Sequence, residues 1–294
     1  MKSLSIALFL GKELHGKNIE VDNYSTLSDI QANTVVFAKK YEQQYVHSLN
    51  SVGSELLAIV TPEYQNRVSC SYIVSQNPRL DYLRVIGEFF FTDDLHSGIH
   101  PTAVVEEGAL LGENIYIGAH SYIGNKVVVG NNTRVFPNVV ITGDTTIGEN
   151  CYIKSGVVIG QPGFGFEKDE NGQPIHFPHL GKIKIGNHVY IGANTAIDRA
   201  TLNSTIIGDH VKIDNLVHIA HNVIIDDCSY IIAGTILGGG VHVGKDCWLA
   251  PNVSVKQQLH VGNGSLVGLG AVVIKDVEEN SVVAGNPAKP LKKA

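Results

Sequence analysis

The chain has 294 residues, 44% of them hydrophobic and 17% charged, which provides for a sizeable core and excludes an intrinsically disordered chain. Lys and Arg number 22 against 28 Asp and Glu, so the formal charge of −6 excludes the broadly basic surface of a dedicated nucleic-acid binder. Cys70, Cys151, Cys228 and Cys247 lie far apart with no CxxC pair, which argues against a disulfide framework or a zinc ribbon and suits a reducing, cytoplasmic setting.

Lys2 followed by Ser3-Leu4-Ser5-Ile6-Ala7-Leu8-Phe9-Leu10 has the outline of a weak signal peptide. Gly11-Lys12-Glu13 follows at once with no small-residue cleavage site, so an opening amphipathic helix is expected. No apolar run reaches the roughly 18 residues that span a bilayer, and no membrane insertion is expected. Thr34–Ala38, Glu55–Val60 and Ser71–Val74 read as short strands. Asn77-Pro78 makes a turn, and residues 79–90 have helical spacing. Residues 1–98 are therefore expected to form a small N-terminal α/β cap domain, with its boundary near Asp93–Gly98.

A different rule governs the rest. Stepping by six from Ile99 gives Val105, Leu111, Ile117 and onward to Ile159, all aliphatic. The clock restarts at Ile185, Ile191 and Ile197, skips four residues, and runs from Ile207 to Val273. Neither a helix nor simple strand alternation has period six. A solenoid of short strands that turns a corner every six residues does, with each hexad placing one aliphatic inside. Three hexads give 18 residues per coil, and coils stacked at strand spacing make a prism roughly 40 Å long. The fold class is mainly β, a parallel β-helix over 99–277 with an insertion loop at 160–184 and a short tail at 278–294. The skip at 203–206 reads as a corner bulge.

The string Ile213-Asp214-Asn215-Leu216-Val217-His218-Ile219-Ala220-His221-Asn222-Val223 sets imidazoles on a rigid wall. Imidazole suits proton transfer near neutral pH, so His221 is a candidate base. One coil further lies Gly239, within Gly238-Gly239-Gly240, where a missing side chain leaves room for a substrate and exposes an N–H suited to an oxyanion. Asp214 reads as a corner cap more than as a residue that orients a histidine, Asp198-Arg199 as an ion pair or a phosphate contact, and the cysteines as core or face residues.

The hexapeptide repeat resembles that of the left-handed β-helix acyltransferases, and the hand is implied by that resemblance. Asn77-Pro78-Arg79-Leu80-Asp81-Tyr82, Gly163-Phe164-Gly165-Phe166, Pro178-His179-Leu180-Gly181, Ile191–Arg199 and Ile213–Val223 narrow it. The chain resembles the UDP-3-O-acylglucosamine N-acyltransferases of lipid A synthesis, the LpxD family. The resemblance implies that His221 is the general base for an amine attacking an acyl thioester, and that the Gly239 N–H holds the oxyanion. It also implies a homotrimer with the site in a groove between prisms, framed by the insertion loop. Phe164, His218, Asn222 and His260 are then expected around the nucleotide-sugar substrate, with Phe37 and Tyr41 stacking on its base. No metal and no bound cofactor is implied; acyl-CoA or acyl carrier protein enters as co-substrate.

Three departures bear on these expectations. The family's Asn-Pro-Lys-Tyr string is replaced by Ala38-Lys39-Lys40-Tyr41. Gln258 stands where the family has a further His. The end of the chain, Gly285-Asn286-Pro287-Ala288-Lys289 with Lys292 and Lys293, looks like that of CoA-dependent acetyltransferases on the same solenoid, which makes Gly285 and Lys289 candidates for donor binding. The alternatives are an acetyl-CoA-dependent N-acetyltransferase on a UDP- or dTDP-deoxyamino sugar, a non-catalytic β-helix scaffold, and a β-helix carbonic anhydrase, for which His218 and His221 lack a third histidine in a convincing position.

Overall fold

The computed structural model describes residues 1–92 and 97–291. Most of the expected boundary at 93–98, together with Lys292 and Lys293, lies outside the described residues. The chain divides into two compact units, Met1–Asp94 and Leu95–Ala294.

The N-terminal unit is a five-stranded sheet in the order Leu14–His15, Ser71–Val74, Leu56–Val60, Thr34–Ala38, Asn23–Tyr24. All pairs are parallel except Leu14–His15 with Ser71–Val74. Helices cover both faces, which is why the central strands read as continuous apolar runs and not as alternating ones. Val36, Ala38, Leu56 and Ala58 pack with Val46 and Leu49 of the helix Gln43–Ser51. Val35, Leu57, Ile59 and Ile73 pack with Ile6 and Val85 of the helices Ser3–Phe9 and Pro78–Phe89. Asn77 caps the last of these by accepting the Leu80 N–H at 3.2 Å, and Pro78 occupies the first turn, where a missing N–H does no harm. The opening helix is less amphipathic than expected: it buries Ser3, Ile6 and Ala7 but turns Leu4 and Leu8 to solvent.

The second unit is a parallel β-helix with three faces of eleven, nine and eight strands. The first face contains Tyr230–Ile231, the second His218–Ile219 and the third Ile224–Ile225. Regular coils repeat every 18 residues, as in Tyr122 paired with Val140. The clock residues from Ile117 to Val273 are all buried and line one continuous core. Ile99 is half exposed and Val105 and Leu111 are only partly buried, contrary to the uniform interior expected, because they belong to the first coils of the stack, where packing is one-sided.

The corners explain the remaining repeat residues. The second residue of many corners lies in the left-handed region, as at Asn132, Asn194, Asn222 and Asn252. Asn and Gly tolerate that conformation best. The glycine that often follows the clock aliphatic has another reason: a Cβ on Gly192 would lie 2.3 Å from the Asp214 carbonyl carbon of the next coil. Asp214 caps its corner, as read from the sequence, by accepting the Asn215 N–H at 2.8 Å.

Candidate active site

Both interruptions of the clock fall on one edge of the prism, between the second and third faces. The insertion leaves from Val158–Pro162 on the second face and returns as Lys182–Ile185 on the third. Within it, Phe166–Lys168 and Pro174–His176 form an antiparallel hairpin. One coil later the chain passes from Ala196–Arg199 to Ser204–Ile207 through residues 200–203, so the skip is a short loop on this same edge. His221 occupies the next corner, Gly239 the one after, and Gln257 the one after that.

The short loop proves to matter more than a corner bulge. Asn222 donates its N–H to Thr205 Oγ1 at 3.0 Å. Its Oδ1 accepts the Thr201 N–H at 3.1 Å and the Thr201 hydroxyl at 2.9 Å. A backbone N–H can only donate, so it is the oxygen of the Asn222 amide that faces Thr201. The same oxygen lies 3.0 Å from His221 Nδ1, which must therefore carry the hydrogen. The lone pair of His221 is left on Nε2. Nε2 faces the next coil: a Cβ on Gly239 would lie 2.7 Å from both His221 Nε2 and Cε1. On the other side of the ring, a Cβ on Gly163 would approach His221 Cδ2 to 3.1 Å. The imidazole is thus seated between two glycines, with its tautomer set by Asn222.

A cleft of about 350 Å³ opens here, lined by Phe164, Gly165, Phe166, His221, Gly239, Gln257 and Gln258. Corner N–H groups on another edge are capped by a side chain from the following coil, as when Glu113, Glu149 and Lys245 donate to Asn131, Asn187 and Asn263. Gly239 has Gln257 in that place, and among the described residues its N–H meets no acceptor. It is a free donor one coil from the His221 lone pair.

Not every expected residue meets this cleft. Phe164 lines it, strongly exposed and packed on Phe166 at a centroid distance of 5.0 Å. His218 lies on the second face with Nε2 3.9 Å from Asp198 Oδ2, so the partner of Asp198 is this imidazole and not Arg199. Burial pushes the Asp198 carboxyl up, while His218, His221 and His179 pull it back down. His260 turns onto the third face, edge-on to His242 at 4.7 Å, and Gln258 takes the place at the cleft. The segment Gly285–Ala288 pairs with Val272, and Lys289 folds back on Ala284. Gly285 and Lys289 therefore sit about four strand spacings, or 19 Å, along the stack from the His221 coil.

In the N-terminal unit, Phe37 lines a cleft of about 370 Å³ with Ser25, Val36, Lys39, Tyr45 and Tyr82. Its ring packs on Tyr82 at 4.8 Å. Tyr41 is not part of this cleft; it packs on Tyr64 at 5.1 Å beneath the Arg67 guanidinium. Tyr45 and Tyr82 take the aromatic place that Tyr41 was expected to fill. Tyr82 stands in a string already notable in the sequence, but nothing in that string discloses its contact with Phe37.

Comparison with known proteins fits this geometry. The hexapeptide families described as "Bacterial transferase hexapeptide (six repeats)" and "Hexapeptide repeat of succinyl-transferase" match residues 126–161 and 182–220. A probable UDP-3-O-acylglucosamine N-acyltransferase 2, mitochondrial, of Arabidopsis thaliana is 39% identical over 154 residues, 52% of this chain and 50% of that protein. The chain thus spans half the length of this relative. The UDP-3-O-acylglucosamine N-acyltransferase of Coxiella burnetii is 30% identical over 248 residues, 78% of this chain and 71% of that one. The chain belongs to the UDP-3-O-acylglucosamine N-acyltransferase family. Among solved structures, the UDP-N-acetylglucosamine O-acyltransferase LpxA of Moraxella catarrhalis matches with a TM-score of 0.60 and 26% identity, covering 66% of this chain and 73% of that one. The Francisella novicida UDP-N-acetylglucosamine acyltransferase matches with a TM-score of 0.60 and 28% identity over 66% and 70%. The solenoid is the left-handed parallel β-helix expected of this family. Among the described residues no helix is long and apolar enough to cross a membrane.

Proposed function

We propose that the chain transfers an acyl group from a thioester to the amino group of a UDP-linked glucosamine, as the names of its relatives describe for them. The observation that carries the reading is the pairing of the His221 Nε2 lone pair with the free Gly239 N–H on one edge. The amine nitrogen attacks the thioester carbonyl carbon, and His221 Nε2 takes the amine proton. Negative charge builds on the carbonyl oxygen, where the Gly239 N–H donates to it. The C–S bond then breaks, and the imidazolium returns its proton to the departing thiolate. Asn222 holds the acquired positive charge through the Nδ1–H bond and keeps the reactive nitrogen pointed at the cleft.

Phe37, with Tyr45 and Tyr82 and not Tyr41, supplies an aromatic wall for a nucleobase, and Lys39 supplies charge for a diphosphate beside Lys40, whose ammonium is paired with Glu42 at 2.6 Å. The donor arm follows the edge beyond Gly239 past Gln257 toward Lys275, two coils or about 10 Å on. Gly285 and Lys289 contact only the far end of such an arm. The enzyme works in the cytoplasm as a homotrimer, in which a neighbouring prism walls the cleft.

The test is turnover, read by mass spectrometry, with UDP-3-O-acylglucosamine and either hydroxyacyl carrier protein or acetyl-CoA. An N-acylated product that disappears in His221→Ala supports the reading. Full turnover by that variant refutes His221 as the base, and a product only with acetyl-CoA moves the donor to CoA.

A further inference from the structure

His179 stands at the return of the insertion and is 2% exposed. Its Nδ1 lies 2.8 Å from the Phe177 carbonyl oxygen, which can only accept, so Nδ1 carries the hydrogen and Nε2 the lone pair. Among the described residues that buried Nε2 has no hydrogen-bond partner. Buried acceptors are nearly always satisfied, so a ring held in this way has another reason to be there.

The reason lies in what the ring touches. His179 meets His221 edge to face, with centroids 5.2 Å apart and planes at 71°. Two glycines of the insertion rest on it: a Cβ on Gly163 would come to 3.1 Å from Nε2, and one on Gly165 to 3.0 Å from Cε1. The Phe177 N–H donates to the Gly165 carbonyl at 2.9 Å, so both arms of the insertion are clasped at His179. The next residue, Leu180, donates its N–H to the Thr201 carbonyl at 2.7 Å. Thr201 holds Asn222, and Asn222 holds His221. The chain of contacts therefore closes on itself: His179, Leu180, Thr201, Asn222, His221 and back to His179.

We propose that His179 is a positioning residue for the acyl transfer, tying the insertion to the His221 imidazole and closing this ring of contacts. The inference rests on the reading of His221 as the base. The hydrogen bonds alone hold the base at Nδ1, and a ring held at one atom can still swing. Contact at its edge removes that freedom, and the same residue seats Phe164–Phe166 over the cleft.

Three substitutions in the full chain test this. His179→Ala removes the ring, His179→Phe keeps its bulk without the Nδ1–H bond, and His179→Gln keeps a donor to the Phe177 carbonyl. Three readouts accompany each: kcat and KM for the nucleotide sugar, trypsin cleavage after the exposed Lys168 of the hairpin, and the nitrogen spectrum of the His221 imidazole. Ala and Phe are expected to lower kcat by about tenfold or more while KM changes by less than about threefold, because misplacement by an ångström weighs on kcat. Lys168 is cleaved faster in both, and His221 shows mixed tautomers. Gln restores all three readouts most of the way, and if Ala does not fold the contrast of Gln with Phe decides. Wild-type kcat in Phe reduces His179 to filling space and overturns the proposal. So does a loss of kcat in Ala with the His221 spectrum and the Lys168 cleavage unchanged. Failure of the base itself is told apart by His221→Ala, whose full activity overturns the base without altering hairpin cleavage in the His179 variants.

Discussion

Two neighbouring glycines have opposite reasons to be glycine, and that separates catalysis from folding. Gly239 has an ordinary backbone conformation, but its Cβ would sit 2.7 Å from His221 Nε2 and Cε1. Ordinary contact begins at 3.4 Å. Gly239→Ala must therefore push the imidazole by about 0.7 Å, and displacements of that order lower kcat by about 10- to 100-fold. Folding suffers little: at most the Nδ1 bond to Asn222 stretches, worth about 1 kcal/mol, and the alanine returns part of that through the unfolded chain. Gly240 lies at φ +70°, and its Cβ would meet nothing nearer than Gln258 Cγ at 3.5 Å. Gly240→Ala is therefore expected to lower stability by about 1–2 kcal/mol through backbone strain and to leave kcat within about twofold. The assay is steady-state acyl transfer beside thermal unfolding of both variants. Wild-type kcat in Gly239→Ala, or a greater catalytic loss in Gly240→Ala, refutes the role proposed for the His221 imidazole beside Gly239.

Three further outcomes follow from the same structure. Asn222→Ala loses an oxygen that accepts three hydrogen bonds, and kcat is expected to fall further than in Asn222→Asp, which keeps an acceptor; equal kcat in the two refutes tautomer control. Leu216 sits at φ 59° and is exposed, where the equivalent residue of the preceding coil is Asn194, so Leu216→Asn should stabilise the fold by about 1 kcal/mol, read as a higher Tm. Burial raises the Asp198 pKa from its ordinary 3.8, so the folded chain binds that proton more tightly than the unfolded one. The resulting destabilisation is complete above the raised pKa and fades as pH falls toward 3.8, so Asp198→Asn should raise Tm at neutral pH and lose the advantage on acidification. A higher neutral Tm for the wild type would refute it.

The period of six was enough to place the aliphatics from Ile117 to Val273 in the core, because one inward residue per hexad leaves the chain no other way to bury them. It does not disclose that Ile99 is half exposed, since the period marks which residue of a hexad turns inward and not how much of it the neighbouring coils cover. His221 and Gly239 were legible as neighbours from the 18-residue step. Thr201 was not: it reaches Asn222 across the one coil that has four extra residues, where that step fails. His179 lies in an insertion with no period at all, so only the folded chain reveals that it touches His221. Phe37 and Tyr82 come from a strand and a distant helix, and strand spacing alone cannot say which aromatic crosses to meet it.

A stack of nearly identical coils behaves as a linear array in which each repeat is stabilised only by its two neighbours. Such an array loosens from its termini inward. The strand carrying His218–Ile219 is the sixth of nine on its face, with several coils on either side. Opening of a terminal coil, whether at Ile99 or at Val282–Ala284, therefore leaves the edge that carries His221 and Gly239 intact. Amide exchange should be slowest around His221 and Gly239 and quicken toward both ends, and moderate truncation of either end should shorten the lifetime of the fold well before it alters the geometry around His221.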